Sequence, residues 1–277
     1  MSSRMDSPTG APVRPVVPGP DTPPVGRELN GRVAVLTMQQ APHNFIGTAL
    51  VAELLEGLRW AQRDGARAVL LRSGLRNFCA GADLAMFESA ERGVAPEEFD
   101  AVAVLRAFDA LPLPIVAAIH GVTVGGGLEL ALACDLIVAA ESAKIGSVEA
   151  TLGLNPLMGG IQRVTERAGA ARAKEMALLA RRYDARTLER WNVINRVVPD
   201  DKLGDVSLAI ARELAEGPTL AHASTKAIVS YTVAHGVPAA DEAMHELQAE
   251  YWKSEDLKHG LASLAANGPG AARFEGR

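Results

Sequence analysis

Three short runs of this chain are apolar almost without interruption: "ARAVLLRSG" at 66–74, "PIVAAIHG" at 114–121 and "LIVAA" at 136–140. A strand with one face in water alternates apolar and polar residues, because successive side chains point to opposite faces. A strand-length run without that alternation belongs to a sheet covered on both sides, and such sheets are mostly parallel with helices as the cover. "RVAVLTMQ" after Gly31 reads as a further strand. Between the runs, Leu50, Val51, Leu54, Leu55 and Leu58 recur at helical spacing over 47–64, with Gly65 as a stop. A second helix is predicted from about 96 to 111, ended by Pro112, and a third over "GGLELALACD". The alternation predicts an α/β fold. Beyond about residue 165 the strand signal fades, and helices are expected at 169–181, 187–191, 203–216, 219–235, 238–252 and 254–266. Asn192 stands where a left-handed cap would end one of them.

Composition removes several classes of function. The 277 residues are 48% hydrophobic, enough for a sizeable core, yet no apolar run approaches membrane-spanning length. A formal net charge of -5 disfavours nucleic acid and anionic membrane as partners. With only two cysteines, Cys79 and Cys134, a reducing, cytoplasmic setting is expected. Residues 1–25 hold seven prolines and no signal-peptide pattern, so they read as a disordered lead-in.

Two runs of small residues lie between a buried strand and a helix: Ala80-Gly81-Ala82 within "FCAGADLAMF" (78–87) and Gly125-Gly126-Gly127 within "GGGLEL". Small residues let a polar ligand atom approach backbone N–H groups, and two such loops brought together could form an oxyanion hole. The plain alternative is that the glycines serve only tight turns and close packing. Glu129 sits one turn into a helix among Leu128, Leu130 and Ala131, where a carboxylate is costly unless paired or functional. Glu149, in "GSVEATLGLNP", reads by itself as a loop acid. No Gly-x-Ser-x-Gly elbow or phosphate loop is present, Cys79 has no neighbouring His, and the six histidines lack metal-ligand spacing. No metal is expected, and His43 and His120 read as structural.

Together these stretches resemble the enoyl-CoA hydratase/isomerase family, the crotonase superfamily. "FCAGADL" resembles its first oxyanion loop, "AAIHGVTVGGGLELALACDLIVA" its second loop and catalytic helix, and "VEATLGLNPLMGGIQRV" the segment of its second glutamate. The likeness runs on through "GAARAKEMALLARRYDARTLERWNVINRVVP" to "SEDLKHG" and "FEGR".

The resemblance implies a spiral of ββα units, with a core over 26–200 and a C-terminal helical region over 201–277 that packs homotrimers or hexamers. It implies a 2-enoyl-CoA hydratase of the fatty acid β-oxidation type that forms 3-hydroxyacyl-CoA. Ala80 and Gly126 would donate N–H groups to the thioester carbonyl, Glu129 would activate water, and Glu149 would deliver the proton. Gly81, Ala82 and Asp83 would line the coenzyme A path, with Asp83 also capping the next helix. Leu84, Phe87, Gly125, Leu157 and Met158 complete the expected substrate site. No cofactor is expected, since coenzyme A enters with the substrate. Leu157 and Met158 replace residues that are often smaller, which reshapes the acyl pocket, and "LAMF" lacks the frequent lysine. An enoyl-CoA isomerase, another acyl-CoA lyase or hydrolase, and an idle acyl-CoA-binding or protein-binding scaffold are the alternatives.

Overall fold

The structure is a computed structural model and describes residues 22–87 and 101–277, together with Gly19. The expected lead-in and the 96–100 part of the expected second helix therefore fall almost wholly outside the described residues. The elements run β1 (Val25–Asn30), β2 (Val33–Met38), α1 (Thr48–Arg63), β3 (Ala68–Ser73), α2 (Ala101–Ala110), β4 (Ile115–Ile119), β5 (Val122–Val124), α3 (Gly126–Leu132), β6 (Leu136–Ala140) and β7 (Lys144–Gly146). They continue with α4 (Gly160–Leu179), β8 (Tyr183–Asp184), α5 (Ala185–Arg190), β9 (Arg196–Val198), α6 (Leu203–Glu216), α7 (Thr219–His235), α8 (Val237–Leu247) and α9 (Glu255–Asn267).

The apolar runs behave as their composition demands. The main sheet has the order β1-β2-β3-β4-β6-β9, parallel throughout except for β1 against β2. Alternate residues of β2, β3, β4 and β6 enter different cores. Leu36, Leu71, Ala117 and Ile137 join the cluster that also holds Leu50, Leu54 and Leu58 of α1 and Phe108 of α2. Val35, Leu70, Val116 and Val138 face the other way, against Leu203, Ala211 and Ala215 at α6. A second sheet, β5-β7-β8, stands beside the first. Among the described residues, no helix is long and apolar enough to cross a membrane.

Three differences from the sequence reading have physical causes. Val25, placed at the end of the lead-in, is the buried first residue of β1, where pairing with Met38 supplies the order. Strands persist beyond residue 165: β9 adds to the main sheet beside β6, and β8 pairs with β7. They escape notice because two or three residues carry no periodicity. The helix expected from 169 follows Gly169, whose φ of 81° breaks α4, and a further helical stretch from Gly160 precedes it. Gly65 follows α1 as its expected stop, at φ 78°, and Asn192 adopts the expected left-handed conformation after α5.

Beneath the two small-residue loops lies Asn44, which is fully buried at φ 53°. Its Oδ1 accepts from Gln40 N at 2.8 Å, while Nδ2 donates to Ser73 Oγ at 2.8 Å and Phe78 O at 2.9 Å. One amide thus ties three segments, and its short polar side chain suits the left-handed backbone. Asn44→Ala should destabilise the fold by about 2–4 kcal/mol, from buried unpaired groups and backbone strain. Urea unfolding checks this; a loss under about 1 kcal/mol would contradict it.

Candidate active site

Residues 78–83 are zipped between two neighbours by backbone bonds. On one side Phe78 N and Cys79 N donate to His120 O and Val122 O, and Val124 N donates to Cys79 O. On the other, Ile46 N donates to Gly81 O and Asp83 N donates to Ile46 O. The first small-residue run is thereby laid against the second. A Cβ on Gly127 would stand 2.3 Å from Cys79 O, so only glycine allows this approach. Gly126 is packed less tightly, with the side-chain ends Ile46 Cδ1 at 2.9 Å and Met158 Sδ at 3.3 Å from where its Cβ would be. Gly125, at φ 55°, faces Glu149 Oε1.

These loops open onto a cavity of about 470 Å³. Ala80, Gly81, Ala82, Leu84, Phe87, Gly125, Gly126, Glu129, Glu149, Leu157 and Met158 all line it, as does a wall of Phe45, Ile46, Met86, Val102, Val148, Leu152 and Leu154 that the sequence did not single out. Asp83 is not among the lining residues: its Oδ1 accepts from Ala85 N at 3.0 Å and caps the 3-10 turn Leu84–Phe87. The expectation for Ala80 also needs correction. Its N–H already donates to His43 O at 3.1 Å, so it is not a free donor. Gly126 N–H, the first of α3, has no partner among the described residues.

Glu129 is 4% exposed and held by two backbone donors, Met158 N at 2.9 Å and Gly160 N at 2.8 Å, both onto Oε1. Gly160 must be glycine, since a Cβ would stand 2.6 Å from Glu129 Cγ. Burial pushes the Glu129 carboxyl up to about 7, and the nearby Glu149 carboxylate adds to the rise; the two N–H bonds and the Arg163 charge oppose it. Glu149 follows β7 and opens the 3-10 turn Glu149–Leu152. Its Oε2 accepts from Ser147 Oγ at 2.6 Å, while Oε1 is buried without a partner. The loop acid of the sequence reading is thus a cavity acid.

Other candidates are accounted for structurally. Burial pushes the Cys79 thiol up to about 12, and it donates to Asn44 O at 2.9 Å, so it is no nucleophile. His43 Nδ1 meets Asn77 Nδ2 at 3.0 Å, and His120 Nε2 meets Leu75 O at 2.8 Å. Among the described residues, no three His, Cys, Asp or Glu side chains gather as a metal would need.

The α/β core is that of the crotonase fold, with two carboxyls lining one cavity, Glu129 held by backbone N–H groups and Glu149 by the Ser147 hydroxyl. The family model for enoyl-CoA hydratase/isomerase matches residues 28–269, and the chain belongs to that family. It is 40% identical over 191 residues to the human "Enoyl-CoA hydratase domain-containing protein 2, mitochondrial", covering 67% of this chain and 65% of that one. It is 32% identical to the 1,2-epoxyphenylacetyl-CoA isomerase of Escherichia coli over 84% of this chain and 92% of the relative. Enoyl-CoA hydratase from Bacillus anthracis superposes with a TM-score of 0.83 at 28% identity, over 92% of this chain and 100% of that one.

The raised Glu129 value has a consequence for stability. The folded state holds this proton more tightly than the unfolded chain, where the ordinary value is 4.5. The favourable contribution is therefore complete below about pH 4.5 and is lost as pH rises through 7. Glu129→Gln, which keeps the acceptor for both N–H groups and cannot ionise, should gain on wild type across that window, reaching about 3 kcal/mol above it. Thermal or urea unfolding between pH 4 and 8 measures the gap. A gap independent of pH would contradict the buried, titrating carboxyl.

Proposed function

We propose that the protein hydrates a 2-enoyl-CoA thioester to the 3-hydroxyacyl-CoA. The observation that carries this reading is the pairing of Glu129 with the unpartnered Glu149 Oε1 in one apolar cavity. Water addition needs one group to take a proton from water and another to give one to carbon. Ionised Glu129 takes the first proton as the water oxygen bonds to the β-carbon. The double-bond electrons move toward the thioester, and enolate charge builds on its carbonyl oxygen. Gly126 N–H is free to receive that oxygen. Glu149 then gives its proton to the α-carbon, the enolate electrons form the C–H bond, and water is added in net. The proton now on Glu129 returns to Glu149 through the next water.

Coenzyme A belongs to the substrate in this reading, and the apolar walls suit an uncharged acyl group. The working form is proposed to be a homotrimer or a dimer of trimers. Val229, Val233, Val237, Trp252, Leu261 and Leu264 of the C-terminal region are more than half exposed, an apolar surface that assembly would cover. Light scattering should return three or six times 29.1 kDa; a monomer would contradict this. Both cysteines are free and buried, which suits the reducing cytoplasm proposed as its compartment.

Steady-state hydration of short and long 2-enoyl-CoA substrates, with the product identified, tests the reaction. Glu129→Gln and Glu149→Gln should each lower turnover about a hundredfold or more, and the double variant far less than the product of the two losses. Because the base must be ionised, wild-type turnover should fall as pH drops below about 7. Loss in only one variant, with double-bond migration and no 3-hydroxyacyl product, would assign an isomerase. A wild type inert on every enoyl thioester would refute both.

A further inference from the structure

We propose that Ser147 is a positioning residue for proton delivery: its hydroxyl occupies one oxygen of Glu149 so that the other alone faces the substrate. The inference rests on the reading of Glu149 as the acid that serves the α-carbon.

Ser147 is 5% exposed, directly after β7, and takes no part in lining the cavity. A serine hydroxyl has a single proton to donate. Here it goes to Glu149 Oε2 at 2.6 Å, a short bond. The anchor under it is rigid. Gly146 O accepts from Gly125 N at 3.0 Å, and a Cβ on Gly146 would stand 2.3 Å from Arg181 O, so the backbone on both sides fixes where Ser147 begins. On the far side of Glu149, Leu154 N donates to Glu149 O at 3.1 Å and closes the 3-10 turn. Backbone bonds thus fix both flanks of the glutamate, and the serine fixes its carboxyl.

The terminal torsion of a glutamate is broad and nearly two-fold, so an untethered carboxyl presents either oxygen. With Oε2 tethered, Oε1 is the one left, 3.5 Å from where a Cβ on Gly125 would be. Proton delivery to carbon depends on direction, and small misplacements are expensive in rate. Without the hydroxyl, Oε2 would lose its partner and the carboxyl its fixed orientation.

The test is exchange of the α-hydrogens of a saturated acyl-CoA in heavy water, followed by NMR, beside hydration assays. Exchange reports proton transfer at the α-carbon whether or not water is added, so it also operates in an isomerase. Wild type should exchange one of the two α-hydrogens selectively. Ser147→Ala should lower the exchange rate and the kcat of hydration by about tenfold to a hundredfold, with KM little changed and selectivity reduced. Ser147→Thr, which keeps the hydroxyl, should restore rate and selectivity. Ser147→Cys fills the same space with a weak donor and should behave like the alanine variant if it is the variant that folds best. Wild-type rate and selectivity in a folded Ser147→Ala or Ser147→Cys would overturn the proposal. A wild type that exchanges but does not hydrate would overturn the hydratase reading and leave Ser147 in place; one that does neither would overturn both.

Discussion

The carbonyl of Cys79 and the backbone of Gly127 approach so closely that no Cβ fits between them. That contact joins the strand-like segment 78–83 to the start of α3, and the rest of the site follows from it. It brings Gly126 and Ala80 to one cavity, points α3 so that Glu129 lines it too, and leaves Gly125 facing Glu149. The scaffold pays for it elsewhere, with the fully buried Asn44 holding the segments beneath and glycines at 146 and 160 where other backbone or Glu129 would collide. Side chains are missing from "FCAGADL" and "GGGLEL" because two backbones must meet there before any ligand arrives.

The same packing explains the acidity of the site. Burial removes water from the Glu129 carboxyl, and its two N–H partners recover only part of that loss. The outcome is a group that changes charge near neutral pH, where a base for water is most effective. Glu149 contrasts with it: one oxygen is tied to Ser147 and the other is unpaired. Two carboxyls of identical chemistry are differentiated by what holds them.

What the sequence disclosed follows physical range. Strands β2, β3, β4 and β6 were legible because burial on both faces leaves an apolar run of five or six residues. Strands β5, β7, β8 and β9 span two or three residues each, and their pairing is decided by partners far along the chain. Glu129 could be suspected from an acid amid apolar neighbours in a glycine-led helix, whereas Glu149 depended on the family resemblance. The bond from Ala80 N–H to His43 O was not legible, because the acceptor is a backbone carbonyl on a separate loop. Nor was Ser147: nothing in "GSVE" says which way its hydroxyl turns, and only the folded position of Glu149 does.

In the proposed reaction Gly126 N–H and both carboxyls face a single thioester. Difference infrared spectroscopy of a 2-enoyl-CoA labelled with carbon-13 at its carbonyl, bound to the slow Glu129→Gln variant, tests it most directly. Donation by Gly126 N–H polarises that carbonyl, so the account predicts a bound band clearly below the free frequency. A bound substrate whose carbonyl band stays at the free frequency would contradict it.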